Sequence, residues 1–145
     1  MKTRLLGEVE GRKTFVVVFD DGDEPIEALT EFARQEKLSG AHFTGIGAFN
    51  SATLGFFDPF TRDYAKIPIA EQVEVVSLVG NIVLHENHPK VHTHVVVAKR
   101  DGTALGGHLL DARVSPTLEV VIEDSSRRLR RRFDQASGLA LIDLG

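Results

Sequence analysis

The sequence predicts an α+β domain in which one early helix packs on a mainly antiparallel sheet. Residues 23–40 carry the one clear helical pattern of the chain, and from residue 41 onward short runs of Val, Ile, Leu, Phe and Thr are punctuated by Gly, Asp, Asn and Pro. The 145 residues contain no internal repeat, low-complexity segment or linker, so 1–145 reads as a single compact domain.

The first apolar run, Thr14 to Phe19, is rich in β-branched and aromatic residues and stops at the turn cluster Asp20-Asp21-Gly22-Asp23, as a buried strand should. In the helix that follows, Ile26, Leu29, Phe32 and Ala33 share one face, Asp23 is the expected N-cap and Pro25 suits the first turn. Acidic residues at its start and Arg34 and Lys37 near its end complement the helix dipole, and Ser39-Gly40 marks its end. Strands are expected at 42–48, 51–57, 72–84 with a bend at Gly80-Asn81, 91–99, 103–110 and 117–123. Asp58 to Ile69, with Pro59, Arg62, Asp63 and Pro68, reads as a surface loop.

Composition removes several classes of function. With no cysteine, disulfide frameworks, thiolate zinc sites, iron–sulfur clusters and cysteine nucleophiles are excluded, and any metal must sit on His, Asp or Glu. No apolar run approaches the roughly 20 residues that span a bilayer, and Met1 to Gly7 breaks too early for a signal peptide, so no membrane partner and a cytoplasmic location are expected. A net charge of −4 is unlike a domain whose whole surface tracks phosphates, though it permits a local basic patch.

Of six histidines, His85, His88, His92 and His94 fall within ten residues. His92 and His94, two apart on a strand, point to one face about 7 Å apart at the backbone and can converge on one ion. His108 is the candidate third ligand, because residues 99–103 form a turn that folds 103–110 back on 91–99. Register decides the matter. A two-residue loop at Asp101-Gly102 sets His108 opposite Val95, on the wrong face, and the histidines are then ordinary strand residues. A three-residue loop, Arg100-Asp101-Gly102 with Gly102 left-handed, sets His108 opposite His94. The second register is preferred because it gathers Val95, Val97, Leu105 and Leu109 on one face and leaves small residues, Ala98, Ala104 and Gly106, beside the histidines. Three imidazoles without a fourth protein ligand suit zinc or a similar divalent metal with one position open to water or a small molecule. Such an ion makes a hydroxide nucleophile near neutral pH or polarises a carbonyl. His88 and Glu74 are candidates to support these ligands, although for both the plainer reading is an exposed polar side chain.

The segments Gly45 to Phe57, Glu74 to Ile82, His92-Thr93-His94 and Gly106-Gly107-His108-Leu109 resemble, in that order, the PPC ("plants and prokaryotes conserved") domain family over nearly the whole chain. The resemblance implies an α/β fold with a mainly antiparallel sheet, a homotrimer in prokaryotic members, and a metal site on His92, His94 and His108 near a subunit boundary. In plants the domain follows an AT-hook, an Arg-Gly-Arg-Pro-type arm that enters the minor groove, hence the family's DNA-binding label. The nearest string here, Gly11-Arg12-Lys13, lacks the flanking arginine and proline.

Nucleic acid remains the alternative reading through Arg127, Arg128, Arg130, Arg131 and Arg132, candidate phosphate contacts at a regulatory or DNA-associated surface. Glu123, Asp124 and Asp134 flank them, which favours a solvated strand end or an intersubunit salt-bridge edge. Gly45-x-Gly47 follows a strand but opens no helix, so it is no dinucleotide fingerprint, and it reads as close backbone packing. Ser51, Ser77 and Ser115 have no nucleophile context.

Overall fold

A computed structural model describes all residues, 1–145. Its elements are β1 (Lys2–Val9), β2 (Arg12–Phe19), α1 (Pro25–Gln35), β3 (Gly40–Asp58), β4 (Asp63–Ile69), β5 (Val73–His85), β6 (His88–Ala98), β7 (Ala104–Asp124), β8 (Arg130–Asp134) and β9 (Leu139–Asp143). One helix on one sheet is the predicted class, and every strand pair is antiparallel except a single parallel rung, Leu84 beside Arg130.

The main departure from the expected elements is continuity. The segments expected as 42–48 and 51–57 are one 19-residue strand, and those expected as 103–110 and 117–123 lie in one strand of 21 residues. These two strands pair with each other along most of their length, and register shifts at Gly47/Phe49, Phe49/Ser51 and Thr53/Leu54 bend the pair. Their two halves therefore face different neighbours. The first half of β3 pairs with β5, β5 pairs with β6, and β6 pairs with the start of β7, which returns to the second half of β3, so the pairings close into a ring.

Three further differences have local causes. Asp63–Ile69, expected in a loop, forms β4 on the edge of β3, where Pro68 opposite Thr53 is tolerated because the strand has one bonded side. β1 escapes periodicity because all eight of its residues are exposed. The register runs unbroken through Gly80-Asn81, and the bulge falls at Val76 instead. Gly80 is where the Phe43 ring crosses β5, for a Cβ there would lie 2.3 Å from that ring.

The core lies between α1 and the sheet and continues inside the ring, with Phe15, Phe19, Phe43, Phe49, Leu54, Leu78, Leu118 and Ile122 buried. Each such side chain contributes roughly 1.5–3 kcal/mol on burial. Leu29, Phe32 and Ala33 seat the helix, with Phe32 edge-on to Phe15 at 5.2 Å. The N-cap is Glu24, whose carboxylate accepts from the Glu27 N–H at 2.6 Å. Asp23 is drawn away, accepting from the Asp20 N–H at 2.9 Å and pairing with the terminal amine at 3.0 Å. No helix is long and apolar enough to cross a membrane.

Candidate metal centre

The turn between β6 and β7 has the three-residue form. The Lys99 N–H donates to the Thr103 carbonyl at 2.9 Å, the Gly102 N–H donates to the Lys99 carbonyl at 2.9 Å, and Gly102 has φ +83°. His94 consequently stands opposite His108, with Val97 opposite Leu105 one face over. His92 lies two residues before His94 on the same face, while Thr93 between them is buried and donates to the Val79 carbonyl at 3.0 Å.

The three imidazoles form a nearly equilateral group. Ring centroids are 5.3 Å apart for His92–His94, 5.1 Å for His92–His108 and 5.3 Å for His94–His108, with one ligand nitrogen from each within 4.8 Å of the others. A tetrahedral ion about 2.0–2.1 Å from each nitrogen would hold such centroids about 5.2 Å apart, so the donors fit a zinc-like ion. The buried Nδ1 of His108 has no hydrogen-bond partner in the protein, an orphaned lone pair or N–H of the kind a bound ion or its ligand satisfies.

The local electrostatics favour neutral rings. Burial, then the Arg131 guanidinium, then the other two histidines and Lys90 push His92 down to about 4. Burial, followed by His94 and Lys90, also lowers His108. No carboxylate offsets these effects at either ring. At pH 7 both therefore keep lone pairs available to a metal.

Three residues outside the expected set, together with Arg131, expected only as a phosphate contact, shape the site. Tyr64 of β4 stacks on His108 at 4.7 Å between ring centroids and 27° between planes. Gly55, across the ladder from His108, makes room for that ring, because a Cβ there would lie 2.7 Å from Tyr64 Cδ1. Asn81 stands opposite His92 on β5. Arg131 donates from Nη1 to the Ala140 carbonyl at 2.9 Å and from Nη2 to Asn81 Oδ1 at 2.6 Å, and its Nη2 lies 3.4 Å from His92 Nδ1. Asn81 was within reach of sequence reasoning. Glu86 and Asn87, both with positive φ, form a two-residue hairpin turn that aligns residue 81 with 92. Tyr64 lay in an expected loop, and nothing near Arg131 in the chain points to the histidines.

Of the other candidates, the structure brings Arg131 to the triad and leaves Glu74, His88 and the remaining four arginines away from it. Glu74 is exposed on the rung between Ala48 and Ala98, four positions along β6 from His94, and makes no hydrogen bond to a histidine. His88 closes the β5–β6 hairpin opposite His85, about 13 Å along the strand from His92. The five arginines do not form one stripe: Arg131 turns into the site, Arg132 pairs with Asp143 at 3.2 Å, Arg128 reaches Asn87 at 3.4 Å, and Arg127 and Arg130 are exposed. Side chains at Gly45 or Gly47 would strike the facing strand within 2.9 Å, so those glycines serve backbone packing.

Three comparisons place the chain among known proteins. A metal-containing protein of Archaeoglobus fulgidus superposes with a TM-score of 0.83 at 34% identity, covering 97% of this chain and 98% of that one. A candidate DNA-binding protein of Bacteroides thetaiotaomicron superposes with a TM-score of 0.86 at 30% identity, covering 97% and 96%. The bifunctional protein GlmU of a Synechococcus species is 33% identical over 120 residues, which are 81% of this chain, and the chain spans 18% of that relative's length. The family model of the Plants and Prokaryotes Conserved domain matches residues 6–126, and the chain belongs to that family.

Proposed function

We propose that this protein binds one divalent metal ion, zinc or a close analogue, through His92, His94 and His108, and receives a small molecule at the position left open. The carrying observation is the triangle of imidazoles, with centroid separations of 5.1–5.3 Å. The metal-containing relative from Archaeoglobus fulgidus supports the reading. A bound ion would supply a Lewis acid and a water of lowered pKa. The chain's own residues hold the ligands: Tyr64 fixes His108 by stacking, and the paired strands β6 and β7 fix the spacing of all three rings. Elemental mass spectrometry of untagged protein purified without chelator tests this reading, with about one zinc per chain expected. Protein that lacks metal and takes up none on titration overturns it.

The same reading includes a homotrimer. Its support is a row of outward side chains, His94, Val79, Thr44 and Val121, running across β6, β5, β3 and β7. Ile46, Val76 and Val96 lie alongside, and Ile46 is 61% exposed. An apolar strip of this kind on a sheet is ordinarily covered, and here it leads directly to the histidines.

A second reading, phosphate binding at a DNA surface, is favoured by one observation: Arg127, Arg128 and Arg130 are exposed and form no ion pair with a carboxylate. The Bacteroides relative is in keeping with it. Three phosphate contacts give a log–log salt slope of about −3. Absence of mobility retardation at low salt removes this reading.

A further inference from the structure

We infer that the small molecule received at the open metal position carries an oxyanion, a carboxylate or phosphate group, and that Arg131 binds that group beside the ion. The inference rests on the metal reading above.

Charge is the first reason. Arg131 places Nη2 3.4 Å from His92 Nδ1 and Lys90 stands two residues before His92 on the same strand face, so the charged side chains set beside His92 are both cations. Arg131 has no carboxylate partner; its polar contacts are a carbonyl, an amide oxygen and an imidazole. Imidazole binds a metal as an uncharged ligand, so three of them cancel none of the charge of a divalent ion. A half-buried site holding that ion and a guanidinium, with no acid from the protein, is completed by an anion from outside.

Donor accounting is the second. A guanidinium only donates, and a neutral imidazole has one lone pair. If His92 gives that lone pair to a metal from Nε2, its Nδ1 carries the proton and turns an N–H against Arg131. If Nδ1 binds the metal, the lone pair is consumed. In either case loading the site removes the acceptor that Arg131 Nη2 has at 3.4 Å, while Asn81 and the Ala140 carbonyl still hold the guanidinium in place. Arg131 Nε is also buried without a partner. The freed donor lies 3.4 Å from His92 Nδ1, beside one ring of the triad. An oxyanion with one oxygen on the metal and another accepting from Nη2 satisfies both, in a charge-assisted geometry a neutral amide does not match. Arg131 thus differs in role from Arg132, which is exposed and paired with Asp143 at 3.2 Å.

Cobalt(II)-loaded protein offers a readout independent of any activity, the visible d–d spectrum of the ion. Acetate and inorganic phosphate are titrated separately, with acetamide as the neutral control. A saturable spectral change is expected with at least one anion, and whichever binds more tightly identifies the group. In Arg131→Met, cobalt stoichiometry stays at that of the wild type and anion affinity falls about 10- to 100-fold, while Arg132→Gln behaves as the wild type. Should Arg131→Met not fold, Arg131→Lys decides, with several-fold weaker binding expected because the fixed planar donor set is lost. An unchanged affinity in the Arg131 variant, acetamide binding as well as the anions, or cobalt-loaded wild type blind to both anions overturns the inference. Failure to take up cobalt at all overturns the metal reading itself, and this inference with it.

Discussion

His94 and His108 occupy one rung of the β6–β7 ladder, with ring centroids 5.3 Å apart and planes at 88°. Fourteen residues apart in sequence, they are neighbours because a three-residue turn sets the register. His92, two residues along, completes a group whose ligand nitrogens lie within 4.8 Å of one another.

Replacing any member of that group should end metal binding. His92→Ala and His108→Ala are expected to lose zinc by more than the roughly 100-fold that changes to outer partners cost, with the fold intact. Elemental analysis after dialysis, with circular dichroism as the folding control, reads both. Wild-type zinc content in His108→Ala would remove His108 from the ligand set.

Tyr64 and Gly55 should act together on His108. Tyr64→Ala removes the stacked ring, and Gly55→Val drives that ring aside, because even a Cβ lies 2.7 Å from Tyr64 Cδ1. Each is expected to weaken zinc about 10- to 100-fold in a competition titration with a chromogenic chelator. The double variant should lose little more than either single one, since both act through the same ring.

Chelator-treated protein should lose stability as pH falls from about 6.5 to 4. His92 is held down to about 4, so in that window the unfolded chain binds a proton that the folded one refuses. The contribution is complete above the ordinary histidine value and gone once pH drops through 4; the lowered His108 adds to it in the same direction. Melting temperatures across this range in wild type and His92→Ala check the sign: the variant should show the shallower dependence.

Val79→Asp should convert a trimer to monomers without unfolding the chain. Val79 is 47% exposed and lies in the middle of the apolar row. A carboxylate there costs little in water but is buried unpaired in a subunit contact. Light scattering of wild type and variant reads the change, and a monomeric wild type removes the trimer from the proposal.

Sequence alone determined the fold class, the helix with its buried Leu29, Phe32 and Ala33, the β6–β7 register and the three histidines, because each follows from local rules. Periodicity of 3.6 or 2 residues assigns faces, and of the two registers the turn allows, the one that gathers Val95, Val97, Leu105 and Leu109 on one face is the one observed. Tertiary structure alone decided the rest. Exposed β1 and edge strand β4 have no buried face to leave a periodic trace, and the continuity of β3 and β7 depends on bulges that only their pairing reveals. Tyr64 and Arg131 reach the histidines from strands 44 and 23 residues away from His108 in the chain, through ring closure and the β8–β9 hairpin. Long-range contacts of that kind carry no local signature. An arginine among five in a polar run looks like surface until the sheet turns one of them inward.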